Sequence, residues 1–196
     1  SKGLALLLRG DYRNGWPLYE WRWKARNFTS IALRTGKPTW DGAAGKRVLV
    51  WPEQGIGDEL MFGALLPGLH KVCATLIAQC DARLIPLLAR SMPKEIAFVA
   101  RDRLIDENDY DAQIALGSLC QYFRASEASF AATRDGYLVA DAARTAAIRT
   151  ALKASGAPGK KLCGISWRSR NEKVGANRSV DLRAFIEMLA PDNVDF

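Results

Sequence analysis

The first 26 residues carry two groups of hydrophobic side chains at helical spacing. The first group consists of leucines and the second of aromatic residues: Leu4, Leu7 and Leu8, then Trp16, Tyr19 and Trp23. Positions three and four residues apart lie on one face of an α-helix, and Gly10 followed by Asp11 is typical of a helix end and a new N-cap. The pattern predicts a helical hairpin over residues 1–26. Such a pair buries its apolar face either as the last unit of a helical repeat array or by packing on the domain that follows.

Short apolar runs alternate with helical patterns beyond residue 45, after a segment with glycine and proline that predicts a linker over residues 27–45. The predicted strands are 47–51, 74–78, 96–100 and 112–116, and the predicted helices are 60–69, 82–90 and 141–154. Nearly continuous apolar strands that alternate with helices are typical of a parallel sheet covered on both faces. We therefore predict an α/β domain over residues 46–156, with the strand 47–51 in the centre of its sheet.

A second α/β unit begins after the glycine and proline residues at 156–159. Residues 160–196 contain one predicted strand, 161–167, and one predicted helix, 181–189. Because a single strand and helix have no core of their own, we expect their apolar side chains to be buried against the first domain, the hairpin or another copy of the chain. These side chains are Ile165, Leu182, Phe185 and Leu189. A homo-oligomer formed through this unit is therefore one expectation.

The composition excludes several classes of protein. No apolar run in the 196 residues approaches the ~18–20 residues of a membrane-spanning helix, so we predict a cytoplasmic protein with neither a membrane span nor a secretory signal. The four cysteines form no C-x-x-C pair, which favours reduced core thiols over a zinc site or a disulfide scaffold. A single histidine, His70, excludes a two-histidine metal site and any mechanism that needs two imidazoles.

Positive charge is concentrated near the C-terminus of a chain whose formal net charge is +7. The cluster contains Lys160, Lys161, Arg168, Arg170, Lys173 and Arg178, with Glu172 as the one acid. Such a cluster is either a solvated basic loop or a phosphate-binding site. Nucleic acid as the partner is disfavoured, because Trp167 is the one aromatic residue nearby that could stack on a base.

A glycine loop follows the first predicted strand of the α/β domain, with the sequence Glu53-Gln54-Gly55-Ile56-Gly57-Asp58. In open α/β sheets the crevice at the carboxyl end of a strand is the usual ligand site. The loop is not a dinucleotide fingerprint, because Leu60 stands where the third glycine would be, and this disfavours a nicotinamide-dependent oxidoreductase. Asp58 suits either a helix N-cap or a base that accepts a proton from a hydroxyl group.

A second polar constellation follows the strand of the C-terminal unit. It combines GISWR at 164–168 with NRS at 177–179, and its members Ser166, Arg168, Arg178 and Ser179 offer hydroxyl and guanidinium groups. Such groups at a strand end bind a diphosphate through charge-assisted hydrogen bonds.

Five segments of the chain resemble, in order and spacing, bacterial proteins in which tetratricopeptide repeats precede a heptosyltransferase-like module of glycosyltransferase family nine. The segments are GDYRNGWPLYEWRW, PTWDG, RVLVWPEQGIGDELMF, LGSLC, and GISWRSRN together with NRSVDL. The resemblance implies the N-terminal portion of a GT-B enzyme: a tetratricopeptide-like hairpin, a Rossmann-like acceptor-side domain and the first βα unit of a donor-side domain. It also implies metal-independent, inverting transfer from a nucleotide sugar to a glycan or a protein, with no further cofactor.

The same resemblance implies roles for individual residues. Asp58 maps onto the catalytic base, and the loop residues Glu53, Gln54, Gly55 and Gly57 onto a substrate-binding segment. Ser166, Arg168, Arg178 and Ser179 map onto contacts with the diphosphate of the donor. With its donor side incomplete, this chain by itself is expected to be inactive. The alternative is a non-catalytic repeat scaffold or binding module with a degenerate transferase domain.

Overall fold

A computed structural model describes residues 2–133, 135–155, 161–169, 175–189 and 194–195. The chain divides into two compact units, Ser1–Val139 and Ala140–Phe196, and each is described by itself.

The first unit is built on a parallel sheet of four strands. They are β1 (Arg47–Trp51), β2 (Thr75–Cys80), β3 (Ala97–Ala100) and β4 (Ala112–Ala115), and their spatial order is β3-β2-β1-β4. Every pairing is parallel. The predicted α/β fold is therefore confirmed, and β1 occupies the central position expected of it.

Eight helices accompany the strands in the described residues. They are α1 (Lys2–Leu8), α2 (Tyr12–Tyr19), α3 (Ile56–Gly63), α4 (Leu66–His70), α5 (Ile85–Ser91), α6 (Cys120–Phe123), α7 (Ala142–Ser155) and α8 (Leu182–Leu189). Short 3₁₀ turns lie at Glu20–Lys24, Ala82–Leu84, Glu107–Asp109, Leu116–Leu119, Glu127–Thr133 and Ala176–Arg178. None of the helices in the described ranges is both long enough and apolar enough to cross a membrane.

The central strand is buried on both faces. Val48 and Val50 point to one side of the sheet and Leu49 and Trp51 to the other, and no side chain of the four is more than 7% exposed. Trp23, from the turn after α2, packs on Trp51 with ring centroids 5.4 Å apart. The near-continuous apolar sequence of β1 is thus explained by a sheet that is covered on both sides.

The N-terminal hairpin packs on the α/β domain. Small residues bring α1 and α2 together: a Cβ at Gly3 would lie 2.9 Å from the backbone of Leu18, and one at Gly15 would lie 2.6 Å from Leu7. The indole of Trp16 donates a hydrogen bond of 2.8 Å to the carbonyl of Arg124. The hairpin therefore contributes directly to the surroundings of the sheet, whether or not it also ends a repeat array.

The segment predicted as a linker, residues 27–45, runs along the outer edge of β4. The amide of Gln113 donates to the carbonyl of Pro38 at 3.0 Å, and the amide of Trp40 donates to the carbonyl of Gln113 at 2.8 Å. Trp40 itself is 2% exposed. The backbone groups of this edge are therefore paired.

The second unit contains α7, a short parallel pair and α8. The pair consists of β5 (Lys161–Leu162) and β6 (Val194–Asp195). The predicted strand 161–167 was too long, because the ladder with β6 has two residues and residues 163–169 have no regular structure. Ile165, Leu182 and Phe185 are half-buried and Leu189 is 37% exposed, so the single chain does not bury Leu189, and its burial against another copy stays a prediction.

The cysteines differ in their surroundings. Cys80 and Cys120 are buried and Cys73 is half-buried, but Cys163 is exposed, so its prediction as a core thiol was wrong. Burial raises the pKa of the Cys120 thiol to about 12 and that of Cys80 to about 11.

These differences predict one fast-reacting thiol. At pH 8, Cys163 is expected to react with 5,5′-dithiobis(2-nitrobenzoate) in the native protein, whereas Cys80 and Cys120 react only on unfolding, because they are shielded and almost entirely protonated. Thiol release measured by absorbance checks this, and a Cys163→Ser variant should lose the fast phase. A fast phase of equal size in that variant would contradict the assignment.

Candidate active site

The glycine loop lies where the strand order of the sheet reverses direction. Going outward from β1, the chain places β2 and β3 on one side and β4 on the other. In open α/β sheets, ligands bind at such a reversal, outside the carboxyl ends of the strands. Residues 52–55 leave β1 at this end, and α3 begins at Ile56, two residues before Asp58.

Asp58 is the third residue of α3 and is half-buried. Its Oδ2 accepts a hydrogen bond of 3.2 Å from the backbone amide of Gly55. This contact is the side-chain half of a capping box, and a negative charge in the first turn is favoured by the helix dipole. The N-cap of α3 is Gly55, so the alternative that Asp58 is the N-cap residue was wrong: Asp58 supports the cap from the third helical position, and its carboxylate also lines an open cleft.

The cleft beside Asp58 has a volume of about 480 Å³ and a polar lining. It is formed by Asn27, Phe28, Thr29, Ser30, Glu53, Gln54, Gly55, Asp58 and Arg101. A polar, open cleft of this size at the end of a central strand suits a hydroxylated ligand.

Arg101 is a cleft residue that sequence reasoning missed. It follows β3 and forms an ion pair with Glu59, whose side chain is 1% exposed while that of Arg101 is 40% exposed. Glu59 also accepts a hydrogen bond of 2.7 Å from the amide of Asp81. The buried carboxylate therefore fixes the guanidinium at the rim of the cleft. One sequence feature could have indicated this contact: Glu59 is an acid among the apolar residues of α3, and a buried acid needs a partner.

Glu53 is buried in an ion pair with an arginine from the hairpin. The Nε of Arg22 donates to Oε1 of Glu53 at 2.8 Å, and its Nη2 donates to Oε2 at 2.6 Å. The two side chains are 5% and 2% exposed. This bidentate contact joins the turn after α2 to the glycine loop, so the hairpin helps to set the position of the loop.

Further polar groups complete the surroundings of Arg22. Its Nη1 donates to Glu20 at 2.6 Å and its Nη2 to the hydroxyl of Ser118 at 2.8 Å. Burial by itself would lower the pKa of Arg22, but hydrogen bonds and charges of Glu53 and then Glu20 outweigh it and raise that pKa. A Cβ at Gly117 would lie 2.5 Å from Oε1 of Glu53. A larger residue at position 117 would collide with the Glu53 carboxylate, so the turn after β4 requires glycine there.

Of the other loop residues, Gln54 is held by a hydrogen bond, whereas Gly55 and Gly57 have free space on their exposed side. The amide of Gln54 donates to the hydroxyl of Tyr19 at 3.1 Å, and burial raises the pKa of Tyr19. A Cβ at Gly57 would meet no atom within 4 Å, and one at Gly55 would lie 3.7 Å from Asp58. Because neither glycine has a positive φ, neither is required by the fold, and the start of α3 is left open for a ligand.

The four residues predicted to contact a diphosphate lie in the second unit, on two segments that are hydrogen-bonded to each other. The amide of Val180 donates to the carbonyl of Trp167 at 3.0 Å, and the amide of Ser169 donates to Oγ of Ser179 at 3.0 Å. Ser166, Arg168 and Arg178 are exposed. The structure thus brings these two segments together, and the hydroxyl of Ser179, which also donates to Gly175 at 2.7 Å, links them.

Part of the basic cluster falls outside the described residues, namely Lys160, Arg170, Glu172 and Lys173. Among the residues that are described, no group of three or more histidine, cysteine, aspartate and glutamate side chains could hold a metal ion.

Comparison with known proteins gives one distant relative. The chain is 28% identical over 202 residues to the protein FlbA of Caulobacter vibrioides, an alignment that covers 94% of this chain and 33% of FlbA. The chain therefore spans about a third of the length of the curated relative it matches. No protein-family model matches the sequence. No solved structure matches it either.

Proposed function

We propose that this chain is the acceptor-side portion of a GT-B glycosyltransferase, in which Asp58 acts as the catalytic base. The observation that carries the proposal is the position of Asp58: its carboxylate lies at the start of α3, at the carboxyl end of the central strand, and lines a polar cleft together with Arg101. The resemblance of the loop and of the second polar constellation to a heptosyltransferase-like module supplies the class of reaction.

In the proposed reaction, Asp58 accepts the proton of an acceptor hydroxyl group while that oxygen attacks the anomeric carbon of a nucleotide sugar. The bond between the anomeric carbon and the diphosphate breaks, and the nucleoside diphosphate leaves from the opposite face, which inverts the configuration. Arg168 and Arg178, with Ser166 and Ser179, stabilise the charge on the leaving diphosphate without a metal. The acceptor is a glycan or a protein, and the use of a nucleotide sugar favours the cytoplasm as the compartment.

The residues of the glycine loop have different roles in this proposal. Gly55 and Gln54 line the cleft beside Asp58, and Gly57 leaves the start of α3 uncovered. Glu53 acts indirectly, because both of its oxygens accept hydrogen bonds from Arg22. It fixes the loop that carries the other residues.

Sugar transfer is tested in the intact gene product that contains this chain, by measuring the release of nucleoside diphosphate from a panel of nucleotide sugars. We expect release that requires an acceptor and persists in the presence of EDTA. Release that EDTA abolishes would contradict the metal-independent mechanism, and no release with any donor would count against the proposal as a whole.

A second candidate function is a non-catalytic scaffold or binding module. It is favoured by one observation: the crevice between the ends of β1 and β4 is filled by the chain's own side chains, Arg22, Glu53 and Ser118. In a scaffold, the glycine loop serves to anchor the hairpin and no hydroxyl group reacts at Asp58. The two candidates differ in the transfer assay.

Replacement of Gly57 by alanine tests whether this glycine is needed for the acceptor to reach Asp58 or only for the fold. Because the added methyl group meets no atom within 4 Å, and alanine is favoured over glycine in a helix, we expect unfolding to become harder by about 0.5–1 kcal/mol. In the proposed reaction the acceptor approaches Asp58 along the uncovered start of α3, so the added methyl group should lower transfer by about tenfold or more. Urea denaturation and the transfer assay measure the two effects. Unchanged transfer would show that the acceptor does not approach along this face.

A further inference from the structure

An apolar pocket of about 460 Å³ lies within the first unit, apart from the cleft at Asp58. It is a partly open pocket lined by the hairpin, by α3 and by side chains of α6 and the residues after it, and its lining shares no residue with that of the polar cleft. Aromatic and leucine side chains dominate the lining, and among them are Trp16, Leu60, Leu65, Phe130 and Tyr137. A volume of this size lies within the roughly 300–1,000 Å³ that is typical of small-molecule sites.

One charged side chain, Arg124, lines this apolar pocket. The residue is 8% exposed, and its guanidinium lies 5.0 Å from the centroid of the Phe130 ring. Its hydrogen bonds go to neutral groups: Nη1 donates to the carbonyls of Ser129 at 2.6 Å and Phe123 at 3.2 Å, and Nη2 donates to the hydroxyl of Thr133 at 3.0 Å. In the part of the chain that the structure describes, no carboxylate forms an ion pair with Arg124.

A buried cation without an opposite charge is costly. Burial lowers the pKa of Arg124, as expected when a charged form is desolvated, and buried charges in proteins are ordinarily paired. Arg22 differs, because two carboxylates, those of Glu20 and Glu53, form ion pairs with its guanidinium. The pocket therefore combines a large apolar wall with a single positive charge that the described side chains leave uncompensated.

We propose that this pocket binds a small molecule with an apolar body and one terminal carboxylate. The apolar body fills the space between the hairpin and α3, and the carboxylate forms a charge-assisted hydrogen bond with the guanidinium of Arg124. The pocket also touches Tyr19, whose hydroxyl accepts a hydrogen bond from Gln54 of the glycine loop. A ligand in it thus contacts a side chain that supports the loop, and this binding does not depend on the proposed transferase activity.

Isothermal titration with decanoate and with its neutral analogue decan-1-ol tests the proposal on the whole chain. We expect decanoate to bind the native protein about tenfold or more tightly than decan-1-ol, since a hydrogen bond to a charged group strengthens binding by that order. An Arg124→Met variant should lose this preference and retain the binding of decan-1-ol. Equal affinity of the native protein for the two compounds, or no binding of either, would overturn the proposal.

A second variant leaves the hydrogen bonds of Arg124 to Ser129 and Thr133 in place. Ala64 lines the pocket but contacts neither Ser129 nor Thr133 through a hydrogen bond, and Ala64→Phe fills part of the space. This variant should weaken the binding of both compounds about tenfold while Arg124 is intact. Leu104→Ala, at a side chain that is 96% exposed and does not line the pocket, is the control and should leave both affinities unchanged. Undiminished decanoate binding in Ala64→Phe would show that the compound binds elsewhere, and would also overturn the proposal.

Discussion

The free energy of unfolding of the first unit is expected to fall by about 3–5 kcal/mol when Arg22 is replaced by methionine. The variant leaves the carboxylate of Glu53, whose side chain is 2% exposed, without its positive partner. Such a charge loses most of its hydration and gains nothing in return, which is why breaking a buried pair from one side is so destabilising. Urea denaturation followed by tryptophan fluorescence measures the effect, because five of the six tryptophans lie in residues 1–139.

The chain offers a control in a more exposed ion pair, in which two donors of one guanidinium bind the same carboxylate oxygen, Oδ1 of Asp111. Arg47 donates to Asp111 through Nε at 3.1 Å and through Nη2 at 2.7 Å, but the two side chains are 41% and 37% exposed. Because water screens this pair, Arg47→Met should be much milder than Arg22→Met. Equal losses in the two variants would contradict the argument from burial.

A double variant isolates the charge itself. Glu53→Gln removes the negative charge and keeps the shape of the side chain, so adding it to Arg22→Met should restore part of the lost stability. The sum of the two single effects should therefore exceed the effect of the double variant, as expected for residues in direct contact. Additive effects would mean that Arg22 acts through packing on Tyr19, whose ring lies 4.5 Å from its guanidinium, rather than through charge.

The sequence was sufficient for the parallel sheet. The apolar run of β1 reads as a strand because both of its faces are buried, and such runs separated by helical patterns have few alternatives to a covered parallel sheet. Each predicted strand of the first unit overlaps an observed one, with ends that differ by at most two residues. The strand at 161–167 was overestimated because the length of a strand depends on its partner, and β6 offers two residues.

The candidate site was predicted only in part. Asp58 could be recognised because a glycine loop between a strand and a helix marks the local turn. Arg22, by contrast, contacts Glu53 across 31 residues of sequence, and Arg101 reaches the cleft because β3 ends at the same edge of the sheet as β1. Both contacts follow from the tertiary arrangement, and neither residue type is unusual in its local sequence.

Replacement of Asp58 by asparagine is expected to reduce sugar transfer by about 10²–10⁴-fold, the usual contribution of a general base. The choice of asparagine is decided by the hydrogen bond that Oδ2 accepts from the amide of Gly55 at 3.2 Å. The amide oxygen of asparagine can accept the same hydrogen bond, so the cap on α3 survives while the proton acceptor is lost. The free energy of unfolding should therefore change little, and the nucleoside diphosphate assay on the intact gene product measures the loss of turnover.

Asp58→Ala provides the comparison that separates a base from a cap. It removes both the proton acceptor and the side-chain half of the capping box, so it should lower stability by about 0.3–1.5 kcal/mol and reduce turnover to the same degree as asparagine. If Asp58 only capped the helix, turnover would follow stability, and asparagine would be nearly as active as the native protein while alanine was not. Full activity of Asp58→Asn would thus remove the base from the proposal, and the hydroxyl of the acceptor would have to lose its proton to a group other than Asp58.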